Sequence, residues 1–214
     1  MPSTPKGAKF KSRNGHEGFK ATVRRGVACG PDDDVLEVLA GDGRMFTHCW
    51  KSAGCGATMD IEISCCELAA KERTGWAVVK CNAETAMRSG IWRERAFTIV
   101  DVDCYGSPWK FVAAFFLCRR SMPDSWTLVL TDHYMLKRNL SHEDKVLGFR
   151  KPGSPEHYLD CVDRLLSRLA HGWNSDRKTY RDGVCVQHVV TLRRVSVASD
   201  NSEQSLHPVS SPAR

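Results

Sequence analysis

Apolar positions along the chain gather in short runs, and polar stretches with helical spacing lie between them. Val35-Leu36-Glu37-Val38-Leu39 closes on Gly41 and Gly43, which predicts a strand, a tight turn and a helix over Arg44–Lys51. Ala57–Ile63, Trp76–Cys81, Ala96–Val102 and Trp126–Leu130 read as four more strands. Ser64–Arg73, Ala83–Ser89 and Pro108–Arg120 read as the helices between them, with Gly75 as a stop and Pro108 suited to a first turn. Lys137–Pro152 is polar and reads as a loop. Ser154-Pro155-Glu156 opens a further helix, whose Leu159, Val162, Leu165, Leu166 and Leu169 form a stripe expected to face the core. Val184–Val197 is a β-rich run fit for a closing strand or hairpin. Strands of near-continuous apolar character alternating with helices predict an α/β fold, a largely parallel sheet with helices on both faces. An antiparallel strand or hairpin is expected at its C-terminal end.

The 214 residues suit one domain with tails. We expect a flexible basic arm over 1–25, a folded body over 26–198 and a disordered Ser/Pro/Asn-rich tail over 199–214. A short element around Phe19–Val27 is left open. The net charge of +6 falls entirely in the arm, where Lys6, Lys9, Lys11, Arg13, Lys20, Arg24 and Arg25 face Glu17 alone. Such an arm can attract phosphate, or can be a solvated terminus. No apolar run is long enough for a membrane span, and Met1–Lys20 has no apolar core of a secretory signal. The ten cysteines show no C-x-x-C spacing, so no metal site is expected. Reduced, mostly buried thiols in a cytoplasmic protein account for them better than a disulfide scaffold.

The Gly41-Asp42-Gly43 turn can expose backbone N–H groups to a ligand. It is not a dinucleotide fingerprint, because no third glycine follows. It resembles the first motif of class I S-adenosylmethionine-dependent methyltransferases, with Leu39 where many members carry a first glycine. The resemblance implies a Rossmann-like class I methyltransferase fold and S-adenosyl-L-methionine as cofactor. It implies Glu37 at the strand end and Gly41 and Gly43 under the methionine part. Asp60, 19 residues beyond Gly41, would take the ribose hydroxyls, with Glu62 as the fallback, and Asp60-Ile61 followed by Glu67-Leu68-Ala69 is similar to the family's run there. Asn82 and the backbone of Ala83 would meet the adenine, unless Asn82 only forms a turn.

Asp103-Cys104-Tyr105-Gly106-Ser107-Pro108 resembles the Asp-Pro-Tyr/Phe-Gly-Ser-Pro motif of the Trm1 family, the tRNA guanine-26 N2-methyltransferases. Trp126–Asp132 is similar to that family's next strand. An exocyclic amine on a base ring is a poor nucleophile, and a carboxylate accepting its N–H can steer the lone pair and receive the proton. Asp103 is therefore expected to orient and deprotonate, and Tyr105 to stack on the base. Cys104 stands where the motif has proline; a Cys104 nucleophile is the weaker alternative. His48, His133 and His188 read as structural or surface residues. The expected function is methyl transfer to an exocyclic amine of a nucleic-acid base, RNA before DNA. The alternatives are a protein or small-molecule methyltransferase of the same fold, or a binding module that has lost turnover.

Overall fold

The computed structural model describes residues 16–104, 106–118, 121–133, 142–149 and 154–195. Seven strands form one sheet in the order β3-β2-β1-β4-β5-β7-β6. They are β1 (Asp34–Val38), β2 (Cys55–Asp60), β3 (Ala77–Lys80), β4 (Ile99–Asp103), β5 (Ser125–His133), β6 (Trp173–Asp182) and β7 (Cys185–Arg194). The first five run parallel, and β7 pairs antiparallel with both β5 and β6. The expected parallel sheet with a closing hairpin is therefore present.

Alternation along the strands sorts the two faces. Leu36, Val38, Met59, Val100, Val102, Leu128 and Leu130 point to one face, where they meet α4 (Trp109–Cys118) and α6 (Pro155–Leu169). Burial of such side chains stabilises by about 1.5–3 kcal/mol each. The α6 helix begins as its sequence predicts, Ser154 accepting the His157 N–H at 3.2 Å with Pro155 in the first turn. Its Val162, Leu165 and Leu166 are core residues. The other face is more polar. Val35, Ile99 and Val129 pack there on Phe46 and Trp50, but Glu37 and Asp101 also point into it and are buried.

Several expectations change. The helix after the turn is a short π-helix, Phe46–Trp50. The expected loop over Lys137–Pro152 contains a short helix, α5 (His142–Val146). The β5 strand is longer than its apolar centre because β7 pairs with all of it, from Ser125 opposite Arg193 to His133 opposite Cys185. The β6 strand went unread: it carries few apolar residues, as suits an edge strand guarded by charge. The largest correction concerns the basic arm. Residues Glu17–Arg25 form α1, and Lys20 and Arg24 on it are buried against the sheet. The tail over 199–214 and residues 1–15 lie outside the described residues. Of the ten thiols, all free, Cys66, Cys104, Cys161 and Cys185 are buried and Cys55 is exposed; burial is less general than expected.

Candidate functional site

The turn after β1 is shaped by backbone conformations that L-residues avoid. Leu39, Gly41 and Gly43 have φ of 62°, 54° and 77°. Leu39 is the only non-glycine residue with positive φ among those described. A left-handed conformation costs an L-residue about 1–2 kcal/mol, so the turn holds a small reservoir of strain where a first glycine would relieve it. Neighbouring strands hold it in place. The N–H groups of Leu39 and Ala40 donate to the Met59 carbonyl at 3.1 and 3.4 Å, and Gly43 closes on Ala40 at 3.0 Å. A Cβ at Gly41 would meet no atom of the described residues within 4 Å, so among them the space above it is open. At Gly43 a Cβ would lie 3.1 Å from Arg73 Nη2, a tight approach that adds to the preference for glycine set by its φ of 77°.

Asp60 ends β2 beside this turn. One carboxylate oxygen accepts the Gly41 N–H at 3.0 Å, and the other accepts the Glu62 N–H at 2.9 Å. Asp60 therefore ties the glycine turn to the next loop and keeps further lone pairs for a ligand. The side chain of Ile61, directly after it, is exposed. Asn82 caps α3 (Ala83–Ser89), its side-chain oxygen accepting the Thr85 N–H at 3.0 Å; Ala83 is buried. This is the turn-forming use of Asn82 that its sequence position left open.

Glu37 faces inward. Its carboxylate lies 2.7 Å from Arg73 Nη2, and both residues are closed off from solvent. Burial pushes the Glu37 carboxyl up to about 8, with Arg73 offsetting part of this. Arg73 also lies over the rings of Phe46 and Trp76, with its guanidinium carbon 4.5 and 5.5 Å from their centroids. Glu37 thus supports the turn from below, through Arg73, and does not open onto the space above Gly41.

The fourth strand ends in a denser network. Asp101 is fully buried and receives both Arg24 Nε (2.7 Å) and Nη2 (2.6 Å), together with the Trp50 indole N–H at 2.8 Å. Arg24 also donates to Gln187 on β7 (2.7 Å) and Thr131 on β5 (3.1 Å). Asp103 takes the Lys20 ammonium at 2.6 Å on one oxygen, and its other oxygen lies 3.9 Å from Arg24. Burial alone would raise the Asp103 carboxyl, but Arg24 and Lys20 together outweigh it and hold it below the usual carboxylate range. Asp103 is thus a stable anion, suited to accept N–H bonds and poorly suited to keep a proton. The Cys104 thiol is buried, which argues against it as a nucleophile. Tyr105 lies outside the described residues.

Register brings these groups together. Val38 pairs with Met59 on one side and Val102 on the other, so the Leu39–Gly43 turn, Asp60 and Asp103 end adjacent strands at the same edge. Open α/β sheets bind ligands at this carboxyl edge. The residues that sequence reasoning missed are Lys20, Arg24 and Arg73. Their partners lie 83, 77 and 36 positions away in the chain, and no local pattern marks them. No group of three or more potential metal ligands occurs among the described residues. No described helix is long and apolar enough to cross a membrane.

No known sequence family and no curated protein matches the chain. Solved structures do. The chain is similar to Trm1 from Pyrococcus horikoshii, solved with S-adenosyl-L-methionine, at 18% identity and a TM-score of 0.57 over 76% of this chain and 50% of that one. It is similar to a ribosomal protein L11 methylase from Lactobacillus delbrueckii subsp. bulgaricus at 11% identity and a TM-score of 0.56, over 83% and 78% of the two chains. A chain of a fibrillarin/Nop5p complex matches at 11% identity and a TM-score of 0.52, over 82% and 79%. The fold is therefore the Rossmann-like fold of S-adenosylmethionine-dependent methyltransferases. The chain spans half the length of the Trm1 chain it matches.

Proposed function

We propose that this protein is an S-adenosylmethionine-dependent methyltransferase acting on an exocyclic amine of a nucleic-acid base, with RNA favoured and a guanine N2-type acceptor in tRNA as the leading substrate. The observation that carries the reading is the open glycine turn with Asp60 and Asp103 at the ends of the flanking strands. The residues fit the cofactor. Gly41 leaves room for a ligand to approach the main chain, Asp60 offers free lone pairs to ribose hydroxyls, and Ile61 offers an exposed apolar surface beside them. Asn82 and Ala83 would border the adenine. Bound there, S-adenosylmethionine supplies an activated methyl on a positively charged sulfur.

The protein's own task is then alignment. Asp103 remains ionised, accepts the acceptor's N–H and turns its lone pair toward the methyl. Its lowered pKa makes it an orienting group first, and the released proton goes on to solvent. Tyr105, two residues on, is the stacking candidate. The likeness to a Trm1 structure, the family that the Asp103–Pro108 motif resembles, supports an RNA acceptor, and that to a ribosomal protein L11 methylase keeps a protein acceptor as an outcome of the test. Ten free thiols fit a reducing, cytoplasmic setting.

Titration calorimetry with S-adenosylmethionine should show binding to the wild type and its loss in Asp60→Ala. Absence of wild-type binding would favour a binding module without turnover, the reading to which the closed Lys20–Asp103 contact lends weight. Incubation with labelled cofactor and total RNA, DNA and protein fractions should place the label in RNA, on a methylated exocyclic amine after nucleoside analysis.

A further inference from the structure

Helix α1 is attached unevenly. Its C-terminal half is anchored by Arg24, fully buried and bonded to three strands. Its N-terminal half is held by polar side-chain contacts. Glu17 meets Arg44, which follows the glycine turn; His16 meets Asp182 at 2.8 Å at the end of β6; Lys20 meets Asp103. The Lys20 ammonium, with its side chain only 7% exposed, is a primary amine seated on the carboxylate proposed to receive the acceptor's amine. Lys20 covers one oxygen of a carboxylate whose side chain is only 16% exposed, and Arg24 lies 3.9 Å from the other, so an acceptor's amine must compete with Lys20 there.

We infer that Lys20 is a specificity-determining residue: the acceptor's amine displaces it from Asp103, and it then pairs with a phosphate of the acceptor. The inference rests on the function proposed above. A displaced lysine without a partner would lose a charge-assisted bond in a partly buried place. An acceptor that brings a phosphate backbone replaces that bond, whereas a free nucleoside or an uncharged small molecule does not. The N-terminal half of α1 can release Lys20 while the Arg24 end stays in place, because besides Lys20 only Ala21 is buried there, and the other ties, Glu17–Arg44 and His16–Asp182, are part-exposed contacts worth little each. The exchange therefore selects for nucleic acid through the ion pair that Lys20 must break, in addition to the pocket's shape.

The test compares unfractionated tRNA with guanosine. In Lys20→Met the competitor is gone, so methyl transfer to guanosine should rise about tenfold in kcat/KM, roughly one charge-assisted bond. The slope of log tRNA affinity against log salt should become shallower by about 0.7–0.9, one phosphate contact. Lys20→Arg, which keeps the cation, should retain both wild-type behaviours. Reductive methylation of wild-type lysines, read by mass spectrometry, should find Lys20 protected in the free protein, reactive with saturating guanosine and protected again with tRNA. Equal loss of guanosine and tRNA turnover in Lys20→Met would overturn the inference and make Lys20 a prop for Asp103. An unchanged salt slope, or labelling insensitive to guanosine, would overturn it as well. Failure of wild type to bind S-adenosylmethionine would instead remove the function beneath it, and calorimetry reads that separately.

Discussion

At the scale of residues, the site depends on which carboxylates are open and which are used internally. Asp60, Asp101, Asp103 and Glu37 lie near one sheet edge, but their partners divide them. Asp101 is consumed by Arg24 and Trp50, Glu37 faces Arg73, Asp60 accepts two backbone N–H groups, and Asp103, paired with Lys20, keeps 16% of its side chain exposed. Asp103→Asn keeps the shape but removes the charge that orients an amine. We expect turnover to fall by roughly two orders of magnitude or more while S-adenosylmethionine affinity stays within a few-fold. Comparing kcat with the calorimetric Kd checks this, and equal losses would move Asp103 into the cofactor pocket. The neighbourhood of Asp103 was legible in the chain because an acid, an aromatic and Gly-Ser-Pro follow one another. Its Lys20 partner was not, since ion pairs across 83 positions leave no local pattern.

At the scale of elements, α1 changes what the basic N-terminus can do. Seven cations before Gly26 looked like one arm, yet two of them close buried acid sites and belong to the fold. Arg24→Met would leave Asp101 buried without its counter-charge, a loss of about 3–5 kcal/mol. Denaturant unfolding should show a lower midpoint at unchanged m. Removal of residues 1–15 takes away Lys6, Lys9, Lys11 and Arg13 without touching α1. It should leave the unfolding free energy within about 0.5 kcal/mol and flatten the salt dependence of tRNA binding. Removal of 1–25 should give a poorly folded chain. A 1–15 truncation with unchanged tRNA affinity at low salt would restrict nucleic-acid contact to the body.

At the scale of the whole molecule, the C-terminal hairpin is locked to the sheet through a polar chain in the core. Asp132 accepts from the Trp109 indole (2.8 Å) and the Tyr158 hydroxyl (2.7 Å); His188 meets Tyr158 at 2.9 Å and Thr179 at 3.0 Å. Burial holds His188 neutral, pulling its pKa down to about 3, with Arg177 adding to the effect. Between pH 6.5 and about 3 the unfolded chain takes up a proton here that the native state refuses. This group therefore costs about 1.4 kcal/mol of stability per pH unit as pH falls through that window. Glu37 acts in the opposite sense. Its carboxyl, raised to about 8, keeps a proton that the unfolded chain has lost above 4.5, so stability falls as pH rises from 4.5 to about 8. Together the two groups predict a plateau of stability between about pH 4.5 and 6.5. Denaturant midpoints across pH should show it, with the acid slope reduced in His188→Gln and the alkaline slope reduced in Glu37→Gln.

Sequence alone determined the order of the five parallel strands along the chain, the helices between them, and the acids and glycines at the strand ends. Those features are local: alternation, capping residues and turn glycines act over a few neighbours and leave a readable period. Tertiary structure alone decided that β6 is a strand, that α1 packs Lys20 and Arg24 against the sheet, that these two neutralise Asp103 and Asp101, and that Arg73 meets Glu37. Edge pairing and charge pairing depend on which distant residues the fold brings within about 3 Å, and a buried acid reads in sequence like an exposed one until its counter-charge is in place.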